Sequence, residues 1–498
     1  MKFILIISFF SFCCVSVLAQ QKNYVFFDAN DTEADIIRKA ATVVPSLGQL
    51  RWQQLELTAF FHYGVNTFTG KEWGTGKEDP KIFNPSALNA RQWVRIAKDA
   101  GIKQVILTAK HHDGFCLWPT KTTNHSVAAS QWKNGKGDLV KEVSKACKEM
   151  KIGFGIYLSP WDMNSQYYGD NEKYNEFFME QLTELLTHYG RIDEVWFDGA
   201  KGESVEQEYY FEKWYQLIRK LQPQAVIAIM GPDVRWVGTE TGYGRETEWS
   251  VVPTDNLSQS TIAANSQKNI AFTPNGDMRG DDLGSLEKIR KAKGLVWYPA
   301  EIDVSIRPSW FYHEAEDSKV KSPEKLLDIY FNSVGRNGVL LLNIPPDKRG
   351  LIHESDIAAL EQWKQLRDDL FKTNFASGSK IKSANGVNTR YILDGKNATH
   401  FTTKGNATTT VIELQLKSPA SFNVVQLQEN IRMGQRVEAF ELDYWDGTAW
   451  KITTKGTTIG YKRLIRFNTI ITDKVRLRIL SSRLNPCLAE IGIYNIQE

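Results

Sequence analysis

Between residues 50 and 370 the chain alternates two hydrophobic patterns. Short, nearly continuous apolar runs lie at 55–64, 104–110, 153–160, 194–198, 225–230, 295–299 and 339–346. Between and after them come stretches whose apolar positions recur every third or fourth residue, at 84–97, 138–150, 174–188, 210–221, 323–334 and 354–370, with another before the first run at 31–43. Continuous apolar runs suit strands buried on both faces, and the longer period suits helices with one face on a core. Strands alternating with helices, with one long irregular stretch after 225–230, imply a parallel sheet, and about eight such units over this length fit a (β/α)8-type barrel. An open doubly wound sheet would carry an early glycine-rich phosphate turn, and none is present.

Beyond residue 372 the helical period disappears. Segments 410–416, 439–444 and 474–480 alternate apolar and polar side chains; in the last, Val475, Leu477 and Ile479 oppose Arg476 and Arg478. Asp446-Gly447 is a hairpin-turn signal. This texture predicts an all-β sandwich. At the other end, residues 1–19 carry one lysine, an apolar run and the small-residue pattern of a secretory leader cut after Ala19. The expected organisation is therefore a signal peptide at 1–19, an α/β barrel at 20–371 and a sandwich at 372–498. The leader implies export to the periplasm or the medium; lipid attachment at Cys13 or Cys14 is the weaker alternative. Cys116, Cys147 and Cys487 would remain, too few and too widely spaced for a disulfide framework. No later segment suits a membrane span. A formal net charge of +3 indicates no nucleic-acid partner. Nothing in the sequence specifies an oligomeric state.

Four of the runs end in polar side chains that a barrel would gather on one face: His62, His111 with His112, Asp198, and the cluster after Met230. In Glu194-Val195-Trp196-Phe197-Asp198-Gly199-Ala200 a buried strand delivers one carboxylate to the rim, although an Asp before Gly also suits a simple turn. His62, His111, His112 and Asp113 lack the paired spacings of a metal site, so no metal and no cofactor is expected. A nucleophilic serine or cysteine motif is also missing. Carboxylates, imidazole donors and abundant aromatic rings point to glycoside hydrolysis.

At these residues the chain resembles the α-L-fucosidases of glycoside hydrolase family 29. The matching pieces are Phe61-His62-Tyr63-Gly64 with Glu72-Trp73, then Ala109-Lys110-His111-His112-Asp113-Gly114-Phe115, Trp196-Phe197-Asp198-Gly199, and Glu301 through Arg307-Pro308 to Trp310-Phe311-Tyr312-His313. The tail resembles a discoidin-type, galactose-binding-like sandwich, most closely at 392–395 and 486–494. It is expected to buttress the barrel, since no stripe of exposed aromatics is evident.

The resemblance implies a retaining double displacement with Asp198 as nucleophile and a second carboxyl roughly 5–5.5 Å away as acid and base. Residues 231–240 resemble the branch that cleaves α-1,3 and α-1,4 fucosyl linkages, which makes Glu240 the acid/base, with Thr239 standing where that branch has Asn. Glu248 is the main rival and Glu246 the third. By the same resemblance His62, Glu72, His111 and His112 bind fucose hydroxyls, and Trp73 and Trp297 line the methyl side of the pocket. Arg307 and Trp310 join the substrate-binding set, with pairing to Glu301 as the alternative for Arg307. His125 and His188 are read as structural or surface residues. The implied partner is a fucosylated oligosaccharide or glycoconjugate. The alternatives are a catalytically weak, lectin-like fucose binder and a relative acting on another α-linked sugar such as galactose.

Overall fold

A computed structural model describes residues 22–202, 205–254 and 280–496. The expected leader, with Cys13 and Cys14, lies outside the described residues. Eight parallel strands form the barrel: β1 (Leu57–Phe61), β2 (Gln104–Lys110), β3 (Gly153–Leu158), β4 (Glu194–Phe197), β5 (Val226–Ile229), β6 (Arg235–Trp236), β7 (Ala300–Ser305) and β8 (Val339–Asn343). Their order is β5-β4-β3-β2-β1-β8-β7-β6, and a parallel bridge from Ala228 to Val234 sets β6 beside β5, nearly closing the ring. The helices between strands begin where polar caps stand. Asp138 accepts from the Lys141 N–H, Asp170 from Lys173, and Ser322 from Lys325 with Pro323 in the first turn. Their buried faces pack on the outside of the barrel, as Leu139, Val143 and Cys147 do from Leu139–Met150.

Two expectations about elements need correction. The 295–299 run is not a barrel strand: Gly294–Trp297 pairs antiparallel with Tyr24–Phe26 and Val251–Thr254 in a separate sheet. The barrel strand follows it as β7, where Glu301 and Asp303 alternate with Ile302 and Val304 and all are buried. Second, the helix sought at 84–97 is Ala90–Asp99, capped by Asn89. Between β5 and β6 the chain makes only a turn: Ile229 takes φ 55°, a left-handed conformation that a β-branched residue rarely adopts, and turns the chain so that Val234 pairs back on Ala228.

After Glu354–Phe371 the chain enters the sandwich, whose largest sheet runs Lys380–Lys382, Thr410–Glu429, Arg463–Ser482, Val437–Trp445, Trp450–Gly456, with Leu488–Tyr494 on Thr410–Glu429. Asp446 closes the hairpin by accepting from the Thr448 and Ala449 N–H groups. Phe422, Leu427, Leu477 and Ile491 lie in its separate core. The sandwich is fastened to the barrel by buried polar contacts. Asn337 accepts from the Tyr461 N–H at 2.7 Å, and Lys462 pairs with Glu56 at 2.7 Å. Among the described residues no helix is long and apolar enough to cross a membrane.

Candidate active site

The carboxyl ends of β1, β2, β3, β4 and β8 bring their terminal side chains together. His62 follows β1, and its Nδ1 lies 2.9 Å from Asn343 Oδ1 at the end of β8. The Asn343 amide donates to Ser305 Oγ and to the Trp310 carbonyl, so its oxygen must accept. His62 therefore carries its proton on Nδ1 and keeps Nε2 as an acceptor. Burial pushes its pKa down to about 4, so the ring is neutral at neutral pH.

The same logic fixes His112. Ser159 donates its single hydroxyl proton to the Trp161 carbonyl at 2.6 Å and so must accept from His112 Nδ1 at 2.7 Å. Burial lowers the His112 pKa, with Lys110 adding, against an opposing pull from Asp198. Its Nε2 stands 3.9 Å from Asp198 Oδ2. His111 lies between, stacked on Tyr157 at 5.6 Å, and burial pushes its pKa well down. Its Nδ1 is buried without a protein partner, a position that a substrate hydroxyl would complete.

Asp198 follows β4. Its Oδ1 accepts from the Ala200 N–H at 2.7 Å, so the turn reading is correct as far as it goes. Its Oδ2 accepts from the Tyr157 hydroxyl at 2.9 Å. Tyr157 also stacks on Trp196, whose indole donates to Glu301 beneath. Sequence reasoning missed Tyr157, because the run at 153–160 reads as plain apolar strand. The available signal was its period: Phe154, Ile156 and Leu158 share one face, and Gly153, Gly155 and Tyr157 the other.

Glu240 lies past β6 on the rim, where its carboxylate accepts from the Trp310 indole at 3.2 Å. Part of the residue is in solvent, yet its carboxyl is desolvated enough to raise its pKa, and the charges of Asp198 and Glu72 act in the same direction. Trp310 sits 5.1 Å from the His62 ring. Glu72 accepts from the Trp310 N–H at 2.9 Å and meets His313 Nε2 at 3.0 Å, so it anchors the loop that carries Trp310. Trp73 is 58% exposed and stands edge-on to His112 and to Trp161. Trp161, another ring that sequence reasoning missed, lies 5.1 Å from His112. Asp303, on the inward face of β7, accepts from the Trp236 indole at 2.8 Å. Burial, Glu240 and Asp198 push its pKa up to about 8. Its signal was the acid–apolar alternation at 300–305.

Other candidates are placed elsewhere. Glu248 is 1% exposed and held by Arg235 and Arg245 beside the sandwich, where its N–H donates to Thr458. Glu246 is open to solvent near Arg463. Trp297 does not line the pocket. It is fully buried at the opposite end of the barrel, before β7 begins, and its indole donates to Gln53. A tryptophan ending an apolar run looks the same from sequence at either end of a barrel. Arg307 also misses the pocket and does not pair with Glu301. It is fully buried between Asp356 at 2.9 Å and Asp317 at 2.8 Å.

A parallel barrel that gathers carboxyl groups, neutral imidazoles and indoles at its strand ends has the equipment of a glycoside hydrolase. Residues 48–365 match the family model described as alpha-L-fucosidase, and residues 361–491 match the F5/8 type C domain. Alpha-L-fucosidase 1 of Arabidopsis thaliana is 44% identical over 91% of this chain and 87% of its own length. A Bacteroides ovatus crystal structure assigned as an α-L-fucosidase is 50% identical, with TM-score 0.85 over 96% of this chain and 78% of that one. The Ruminococcus gnavus GH29 fucosidase in complex with fucose is 32% identical, with TM-score 0.81 over 91% of this chain and 95% of that one. The chain belongs to the α-L-fucosidase family, glycoside hydrolase family 29, and carries a discoidin-like domain behind its barrel.

Proposed function

We propose that the protein is an exported, retaining exo-α-L-fucosidase that removes terminal α-1,3- or α-1,4-linked fucose from branched glycans. Asp198 is the nucleophile: Oδ2 attacks the anomeric carbon as the glycosidic bond breaks. Glu240 begins protonated and gives its proton to the leaving oxygen. It then takes a proton from the water that cleaves the fucosyl–Asp198 ester, so two displacements leave the anomeric configuration unchanged. Tyr157 holds the nucleophile by its hydrogen bond. Neutral His62 and His112 accept from sugar hydroxyls, and the unpartnered His111 Nδ1 adds a third polar contact. Glu72 keeps the Trp310 loop in place, and Trp73 stands at the mouth. Resemblance at 231–240 supports the linkage, and the leader at 1–19 supports export.

The observation that carries this reading is the pair Asp198 and Glu240. They come from separate segments and lie within electrostatic reach of each other, one fixed by two donated hydrogen bonds and the other with a raised pKa. The test is the anomer first released, read by proton NMR before mutarotation. α-L-fucose is expected, and initial release of the β anomer would overturn the mechanism. A Lewis-type trisaccharide should be cleaved in preference to an activated aryl fucoside; the reverse order would remove the linkage assignment. Amino-terminal sequencing of protein recovered outside the cytoplasm should begin at Gln20.

A further inference from the structure

Glu240 rides on a short loop that leaves β6, and both ends of that loop are tied to one residue of β7. β6 lies parallel to β7 with Trp236 opposite Glu301, and the Val237 N–H donates to the Glu301 carbonyl at 2.9 Å. Before Glu240, the Trp236 indole donates to Asp303 Oδ1 at 2.8 Å. After it, the Gly242 N–H donates to the Asp303 carbonyl at 3.2 Å. Gly242 takes φ 80°, and a Cβ there would come within 2.9 Å of Ile329 and 3.1 Å of Val304, so glycine lets the chain approach β7 this closely. Between the two ties Val237 is buried with Ala300 and Ile302, whereas Thr239, Glu240 and Thr241 are exposed. The hydroxyls of Thr239 and Thr241, on either side of Glu240 in the chain, meet at 3.0 Å.

Asp303 is itself fixed. It is 4% exposed and lies within β7, where it pairs with Leu341 of β8. An apolar side chain would be cheaper to bury at this position, but it would take this acceptor away from the Trp236 indole. An exposed loop with few buried contacts opens easily unless its ends are held, and a proton donor displaced by about 1 Å loses much of its rate advantage. We propose that Asp303 is a positioning residue for the acid/base: by accepting one hydrogen bond from each side of the loop, it holds Glu240 where the leaving oxygen departs. The inference rests on the reading of Glu240 as acid and base. Asp303 does not touch the sugar in this scheme. It ties the loop to the barrel wall, and the Trp310 indole meets the Glu240 carboxylate from the loop after β7.

The test compares two substrates in the full chain: a fucosyl trisaccharide that the wild type cleaves, and α-L-fucosyl fluoride, whose leaving group needs little proton donation. Asp303→Ala and Trp236→Phe should each lower kcat/KM for the trisaccharide by about tenfold to a hundredfold. For the fluoride, kcat/KM should stay within about threefold of wild type, which also reports intact folding. Azide attacks the anomeric carbon of the fucosyl–Asp198 ester without a base and frees the carboxylate. It should therefore raise fluoride turnover in both variants and release α-L-fucosyl azide. Burial, Glu240 and Asp198 push the Asp303 pKa up to about 8, so near pH 7 a neutral amide matches it in shape and charge. Asp303→Asn keeps an acceptor for the indole and should hold trisaccharide cleavage within about threefold of wild type. Trp236→Phe removes the donor and keeps an aromatic ring, so it decides the matter if Asp303→Ala does not fold. Glu240→Gln is the reference and should show the same selective loss and azide product more strongly. If it does, while Trp236→Phe leaves both substrates unchanged or slows both equally, the positioning role is overturned and the acid/base reading stands. If Glu240→Gln itself lacks that signature, the acid/base reading falls and the role of Asp303 falls with it.

Discussion

At the residue scale the site is a set of neutral rings around ionisable carboxyls, and this arrangement has measurable consequences. Glu240 must be protonated to act first as an acid, and its pKa is raised, so kcat/KM should fall on the alkaline side as that proton is lost. Glu240→Gln should abolish that alkaline limb and depress turnover of natural glycans far more than turnover of an aryl fucoside with a good leaving group. Tyr157→Phe removes only the hydrogen bond to Asp198. We expect kcat to drop by about tenfold to a hundredfold with the melting temperature nearly unchanged; an equal loss of stability would mean that Tyr157 is a packing residue. His62 adds a pH dependence to folding. Its folded pKa of about 4 is below the ordinary 6.5, so the unfolded chain binds the proton more readily. The stability it contributes is present above pH 6.5 and is lost as pH falls towards 4, by about 3 kcal/mol in all. His62→Gln should flatten the corresponding slope of unfolding free energy against pH.

At the element scale, legibility followed hydrophobic contrast. The strand at 104–110 and the helix at 138–150 were readable because apolar period and cap residues agree there. β7 was not, because a strand lining a barrel can bury acids, and Glu301 and Asp303 broke the apolar run that marks other strands. The neighbouring run at 295–299 looked more like a barrel strand and is not one. β6 is two residues long, set by a strained turn at Ile229 that no propensity would reveal. In the site, residues at the ends of apolar runs, such as His62, His111, His112 and Asp198, could be read, whereas inward-facing Tyr157 within a strand could not. The buried acids of β7 are structural levers. Glu301 accepts from Trp196, and with Glu194 it forms a buried pair in which both pKa values are raised. Glu301→Ala should strand the indole N–H and open a cavity, costing about 2–4 kcal/mol. Denaturant titration measures this, and Glu301→Gln should recover much of the loss.

At the scale of the whole molecule the question is whether barrel and sandwich unfold together. Cys116, Cys147 and Cys487 are free and buried, so no disulfide joins the two among the described residues, and melting should be insensitive to a thiol reductant. The coupling runs instead through polar groups taken out of water, with Lys462 of the sandwich against Glu56 before β1 at its centre. The pair lowers the Glu56 pKa and raises that of Lys462, so each holds the other charged. Removing one partner leaves an uncompensated charge at the junction, and Lys462→Ala should cost about 3 kcal/mol. If the two units are cooperative through this contact, the wild-type chain melts in one calorimetric transition and Lys462→Ala separates it into two. The double variant Glu56→Gln with Lys462→Met removes both charges and keeps most of the packing, so it should return much of the lost stability. That non-additivity is the signature of a coupled pair. Single-variant losses that simply add in the double variant would show that Glu56 and Lys462 act independently and that the units are joined elsewhere.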